Sequence, residues 1–356
     1  MSNLQNNDNW SFVSCMDELL PLTLMESNLK YGSFHLVKMS LFLRELSANG
    51  YFSKITERKL LDTITNLLIE RSWVRVDAKI KGYKEKLIYS DTAEIMIDEI
   101  HNSNIHNAYY YSIGLLKYSP QDLSQILMNL GAIHIPNTLG HSISCFFPVI
   151  KDILETNHLE SGTALFSLIA YLCRYKFGES ELDKNLKGNS PVNYITLMKR
   201  CSSGEGIINL HHMITFYIML EWENASFNEN NIVPYNILID WIGDKEIDTK
   251  LEMNVQELDS SNKLVETYSS FKEKFSPEKP DISIYTFLSL LDRDSATAID
   301  WIFRIYTNYY TAEWDPHYFT GLYCALKLYL SNKINNKTAA RMAIYQAIRY
   351  FFEDKN

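Results

Sequence analysis

The chain reads as a mainly α protein, a multi-helix bundle-like domain preceded by a small N-terminal helical unit that carries a short β-hairpin. Three observations predict this. Apolar residues recur at helical spacing along most of the sequence, strand-like alternation is confined to one short stretch, and Pro, Ser, Thr or Asp stands at the start of many periodic segments. With 356 residues, 46% hydrophobic and 22% charged, the chain can bury a sizeable core.

Residues 1–15 read as an Asn-rich tail without the basic start and apolar run of a signal peptide. Residues 16–100 form the small unit. Leu36, Met39, Leu43 and Leu46 fall on one helical face, and Leu60, Ile64, Leu67 and Leu68 on another, with Thr56 as the N-cap ahead of Glu57. Trp73 to Asp77 alternates, and Lys86 to Ser90 follows Gly82, so the two can pair as a hairpin. Helices plus such a wing make a winged-helix-like unit, with Lys79, Lys81, Lys84 and Lys86 on the wing. The mixed charge of Glu57 to Arg71 favours a solvated lysine-rich turn instead. The boundary is expected near Ser90 to Ser103.

Residues 101–356 are expected to be an all-α main domain. Its helices are predicted over Ile105–Tyr118, Pro120–Leu130, His141–Thr156, Gly162–Phe177, Pro191–Cys201, Leu210–Trp222, Pro234–Ile242, Asn262–Phe275, Ser283–Leu291, Ala296–Tyr310, Asp315–Ser331 and Lys337–Phe352. Pro120 and Pro316 supply first-turn prolines. The acidic stretch Asp244 to Asp259 reads as a surface excursion.

A formal net charge of −9 argues against nucleic acid as a partner, because phosphate binding relies on Lys and Arg displacing counterions. No apolar run is long enough to span a membrane. Cys15, Cys145, Cys173, Cys201 and Cys324 show no CxxC pair and are expected to be reduced and buried, as in a cytoplasmic protein. The 23 tyrosines and 17 phenylalanines suit a tyrosine-heavy core or an aromatic ligand pocket.

Three segments open on a histidine and run into an apolar, aromatic helical pattern, at His106, His212 and His317. Neutral imidazoles at such positions can hold a metal or move a proton, which makes these three the candidate catalytic residues. They are also, with His141, the candidate metal ligands. His212 is favoured over His211 as the inward ring because Thr215, Phe216 and Met219 follow it at spacings of three, four and seven. Tyr109, Tyr110, Phe166, Phe216 and Tyr318 are the candidate aromatic substrate contacts. The sequence has no HExxH or HxxxH motif, no pair of Glu-x-x-His motifs of the ferritin type, and no GxSxG, Walker A or GxGxxG motif to name a reaction.

The order His106-Asn107-Ala108-Tyr109, Ser119-Pro120-Gln121-Asp122-Leu123, Gly162-Thr163-Ala164-Leu165-Phe166, His211-His212-Met213-Ile214-Thr215 and Asp315-Pro316-His317-Tyr318 resembles, distantly, the questin oxidase-like family. The resemblance spans about residues 100–329. It implies an all-helical oxidoreductase, dependent on NADPH and oxygen, in which His106, His212 and His317 line a pocket for a flat polyphenolic or polyketide-like compound. Phe166 stands where the family pattern places a histidine. The other class of function open to the sequence is a noncatalytic helical adaptor or regulatory protein, contacting a protein or nucleic acid through its N-terminal unit.

Overall fold

In a computed structural model, residues 10–24, 34–70, 89–174, 192–226, 233–257, 265–309, 316–331 and 333–353 are described. The fold is mainly α, and no strand occurs among these residues. The expected hairpin, between Trp73 and Ser90, falls almost wholly outside them. No helix of the described residues is long and apolar enough to cross a membrane.

The helices are α1 (Phe12–Thr23), α2 (His35–Ala48), α3 (Lys54–Glu70), α4 (Tyr89–His101), α5 (Ile105–Tyr118), α6 (Pro120–Ile133), α7 (His141–Ser144), α8 (Phe146–Glu155), α9 (Ser161–Leu172), α10 (Tyr194–Cys201), α11 (Gly206–Glu223), α12 (Tyr235–Ile242), α13 (Thr249–Gln256), α14 (Tyr268–Lys274), α15 (Pro280–Arg293), α16 (Ser295–Asn308), α17 (His317–Leu330) and α18 (Lys337–Glu353). Most periodic segments therefore form the helices their spacing predicts, and the departures have local causes.

Helix α1 begins within the supposed tail, and its Phe12 and Met16 are fully buried. Helix α3 starts ahead of Thr56: the Ser53 hydroxyl accepts from the Thr56 backbone N–H at 3.4 Å, while Thr56 itself is buried. The single helix expected over His141–Thr156 is broken at Cys145 into α7 and α8. Pro148 has no N–H to give the Ser144 carbonyl four residues back, so one continuous helix would lose that bond and clash there. The stretch Asp244 to Asp259 contains α13, capped by the Asp248 carboxylate accepting from the Leu251 N–H at 2.8 Å. Its Leu251 and Val255 are buried and α13 packs on α18.

The boundary expected at Ser90 to Ser103 is occupied by α4, which lies along α5. Nor do the N-terminal helices form a separate layer. Helix α3 packs on α16, and α2 packs on α17 and α8, because the apolar stripe of α2 finds its complement more than 100 residues away. At the centre lies α11, buried on every face from Leu210 to Leu220 and in contact with α7, α10, α12, α17 and α18. Such a helix is apolar all round because other helices surround it.

Two glycines let helices approach α11 closely. A Cβ on Gly321 of α17 would lie 2.8 Å from Leu210 Cδ1 of α11. Gly140, at the start of α7, has φ +74° and faces Thr215 of α11, whose hydroxyl would collide with any Cβ there. All five cysteines are buried and free.

Gly140→Ala combines a left-handed backbone with a steric collision, so it is expected to destabilise the fold by about 2 kcal/mol or more. Urea unfolding of the variant checks this, and a loss under about 0.5 kcal/mol would show that α7 does not depend on that approach.

Candidate metal centre

Four histidines from four helices meet at the ends of α2, α7, α11 and α17. The Nε2 atoms of His35 and His141 are 2.7 Å apart, those of His35 and His317 3.3 Å, and those of His141 and His211 3.1 Å. His35, His141 and His211 are buried and His317 is half-buried, which leaves His317 as the more open edge. His35, His141 and His317 satisfy the distances expected of ligands sharing one metal ion.

Local structure aims these rings. His35 opens α2, and Met39, Phe42 and Leu46 follow it at four, seven and eleven residues on the buried stripe. Gly140 turns the chain into α7, so His141 enters beside α11. Leu210, seated against Gly321, fixes the crossing of α11 and α17, which carries His211 past His317.

Hydrogen bonds then fix two tautomers. His141 Nδ1 lies 2.5 Å from the Thr138 carbonyl and His211 Nδ1 lies 2.7 Å from the Ile207 carbonyl. A carbonyl oxygen only accepts, so both Nδ1 atoms donate, and in the neutral ring each Nε2 carries a lone pair. Those two lone pairs face each other across 3.1 Å. A proton given by His35 Nε2 satisfies one side of His141 and leaves His211 still facing it. Burial pushes the pKa values of His35 and His211 well below the ordinary imidazole value, and the neighbouring rings push in the same direction. Of the four, His35, His141 and His317 form the group whose ligand atoms all lie within 4.8 Å of one another, and a backbone-anchored Nδ1–H is the usual support of a metal-ligating histidine.

Ring separations describe the shape of the cluster. Successive centroids lie 4.5 Å (His35–His141), 4.6 Å (His141–His211), 4.5 Å (His211–His317) and 4.9 Å (His317–His35) apart, and the His141–His317 diagonal is 5.7 Å. A regular tetrahedron of imidazoles would make every separation equal. The His141–His317 diagonal is the longest of these separations, so the four rings depart from a regular tetrahedron.

Beneath it lies Lys38, fully buried one turn after His35, with Nζ 3.4 Å from Ser144 Oγ. Cys145 and Cys324 are buried close by, their thiols pushed up by desolvation, with Lys38 opposing in both cases. The candidate ligand set itself contains only histidines.

Of the histidines expected to share a pocket, His317 joins the cluster and so does His141. His106 does not: it is exposed on α5, and its ring lies 6.2 Å from Phe166. His212 is buried but turned away, edge-on to Trp241 at 4.3 Å with both ring nitrogens unbonded, and burial, reinforced by Lys245, lowers it to about 4. On a helix buried all round, the apolar pattern cannot rank adjacent rings, and His211 is the one that faces the cluster. His35 was not among the sequence candidates, although its place on the buried stripe of α2 was a usable signal.

The expected aromatic contacts also disperse. Tyr109 meets Phe166 edge-on at 5.3 Å, Tyr110 meets Tyr111 at 5.6 Å, Phe216 is a fully buried core residue near Tyr235, and Tyr318 packs on Phe351 at 5.2 Å. These contacts belong to separate parts of the core. Comparison of the chain with family models, with curated proteins and with solved structures finds no match.

His35, His211 and His212 all have depressed folded-state values. Above about pH 6.5 both folded and unfolded forms are neutral at these rings; below it, the unfolded chain takes up protons that the folded chain refuses. Stability of the metal-free protein is therefore expected to fall as pH drops below about 6.5, by up to about 1.4 kcal/mol per pH unit for each ring. The His212 contribution levels off near its folded value of about 4. Urea titrations of chelator-treated protein between pH 7.5 and 4.5 read the slope, and His212→Gln should reduce it.

Proposed function

We propose that His35, His141, His211 and His317 bind one divalent transition-metal ion, and that this centre makes the protein a metal-dependent oxidoreductase acting on an aromatic or polyketide-like small molecule. The observation that carries the reading is the pair of lone pairs on His141 and His211, fixed toward each other by two backbone carbonyls. Imidazole sets suit iron, copper, nickel and zinc. Four neutral ligands leave the ion its full charge, and buried Lys38 adds to the positive field. Such a centre acidifies a bound oxygen ligand and favours a phenolate over a phenol.

The half-buried His317 gives the open side from which a substrate would reach the ion, while His35, His141 and His211 exclude water on the inner side. The resemblance to the questin oxidase-like family supports oxidative chemistry on a phenolic ring. For the NADPH that it implies, the described residues include no strand and hence no glycine-rich strand-to-helix turn to cradle a diphosphate. No step is assigned to that cofactor.

The protein stripped with a chelator and offered Fe(II), Cu(II), Ni(II) or Zn(II) separately should take up one equivalent of a preferred ion, read by elemental analysis, with a raised melting temperature. His141→Ala and His211→Ala should each weaken binding more than tenfold. Oxygen consumption with polyhydroxylated aromatics then tests the redox part. Absence of stoichiometric metal in the wild type sinks the reading, and tight metal without any turnover returns the protein to the class of noncatalytic helical adaptors, with the ion as a brace.

A further inference from the structure

A cavity of about 180 Å³ lies where the Gly204-Glu205-Gly206 turn meets α13, α15 and α18, and none of the four clustered histidines lines it. Helical spacing builds its walls. On α18, Arg349 and Glu353 follow Gln346 at three and seven residues, and on α15 Tyr285 follows Asp281 at four, so each set shares one helix face. Tyr285 and Tyr345 are half-buried and both line the cavity, their ring centroids 6.0 Å apart.

Three buried polar atoms here lack a hydrogen bond. Gln346 is 3% exposed; its amide nitrogen donates to the Gly204 carbonyl at 3.5 Å, which fixes the amide orientation, and its Oε1 is left without a donor. Glu353 takes the Gly206 N–H on Oε2 at 3.1 Å, and its Oε1 is unbonded. Arg349 Nε is the third. It lies 3.5 Å from Glu353 and 3.7 Å from Glu205, and its Nη1 lies 3.8 Å from Asp281, so one guanidinium is shared loosely among three carboxylates. Burial pushes the Glu353 carboxyl above its ordinary value, and Glu205 pushes the same way.

In the lining, carboxylates outnumber cations four to two, so the unfilled acceptors sit in a negative field. Asp248 is engaged in capping α13, Asp281 accepts from the Tyr345 hydroxyl, and Lys250 stands exposed at the rim without pairing with any of the acids. Such a field favours a positively charged guest. Among the described residues only the histidine set is spaced to share a metal ion, which leaves an organic cation as the fitting class.

We propose that this cavity binds a short aliphatic diamine. Its inner ammonium donates to Oε1 of Glu353 and Oε1 of Gln346, its carbon chain lies along Tyr285 and Tyr345, and its outer ammonium pairs with Asp281 at the rim. Acids on both sides of Arg349 call for two positive ends, and the volume limits the chain between them to a few carbons. The site needs no metal.

Putrescine titrated by calorimetry into chelator-treated protein at low salt is the direct probe, with butylamine and 1,4-butanediol as analogues carrying one charge and none. One saturable putrescine site per chain is expected, with a preference of about tenfold or more over butylamine and no detectable heat from the diol. Glu353→Gln should weaken both amines by about tenfold or more, whereas Asp281→Asn should weaken putrescine alone, toward the level of butylamine. In the wild type, saturating putrescine should protect Tyr285 and Tyr345 from hydroxyl-radical oxidation, mapped by mass spectrometry, more than the same concentration of butanediol does. That readout needs no variant to fold. No saturable binding at millimolar putrescine, butylamine binding as tightly as the diamine, unchanged affinity in Glu353→Gln, or unprotected tyrosines each overturn the proposal. Because the metal-free protein is used, the result is independent of whether the imidazoles bind an ion.

Discussion

Two backbone carbonyls, Thr138 and Ile207, set the character of the whole centre. By accepting from Nδ1 of His141 and His211 they fix which face of each ring carries the lone pair, and the fold then brings those lone pairs together. Neutral rings so arranged repel, and burial of His211 opposes its protonation. The core around them is well packed, with Leu210 set against Gly321 and Thr215 against Gly140, so the rings are not free to turn apart without disturbing the helix crossings. A cation among the nitrogens, as proposed, would resolve that conflict.

The same packing explains why the centre lies where it does. Helices α2, α7, α11 and α17 come from distant parts of the chain, and each presents its histidine at or near its N-terminal end. Rings gathered there are held by helix backbones and not by loops, which gives a site its geometric precision. Further along, α2, α11 and α17 part from α8 to leave a cleft whose walls carry paired charges.

Much of the fold was legible in the sequence. Helical periodicity located the main-domain helices and the first-turn Pro120 marked α6, whereas Pro316 stands just ahead of α17 as its N-cap and the break that Pro148 imposes between α7 and α8 went unread. Less legible were elements whose partners are remote. The composition of Asp244 to Asp259 suggested a surface excursion because only Leu251 and Val255 of α13 are buried. The break expected near residue 95 is a helix because α4 packs on α5, a fact that local composition does not carry.

The sequence by itself determined a mainly helical protein and nominated His141 and His317 as site residues, since periodicity and capping are local properties that survive without tertiary contacts. Tertiary structure decided that His35 and His211 complete the cluster and that His106 and His212 do not. Nothing within a single helix distinguishes an inward ring from its neighbour when the helix is surrounded on all sides, as α11 is. Only the crossing of helices at least 70 residues apart fixes which nitrogen meets which.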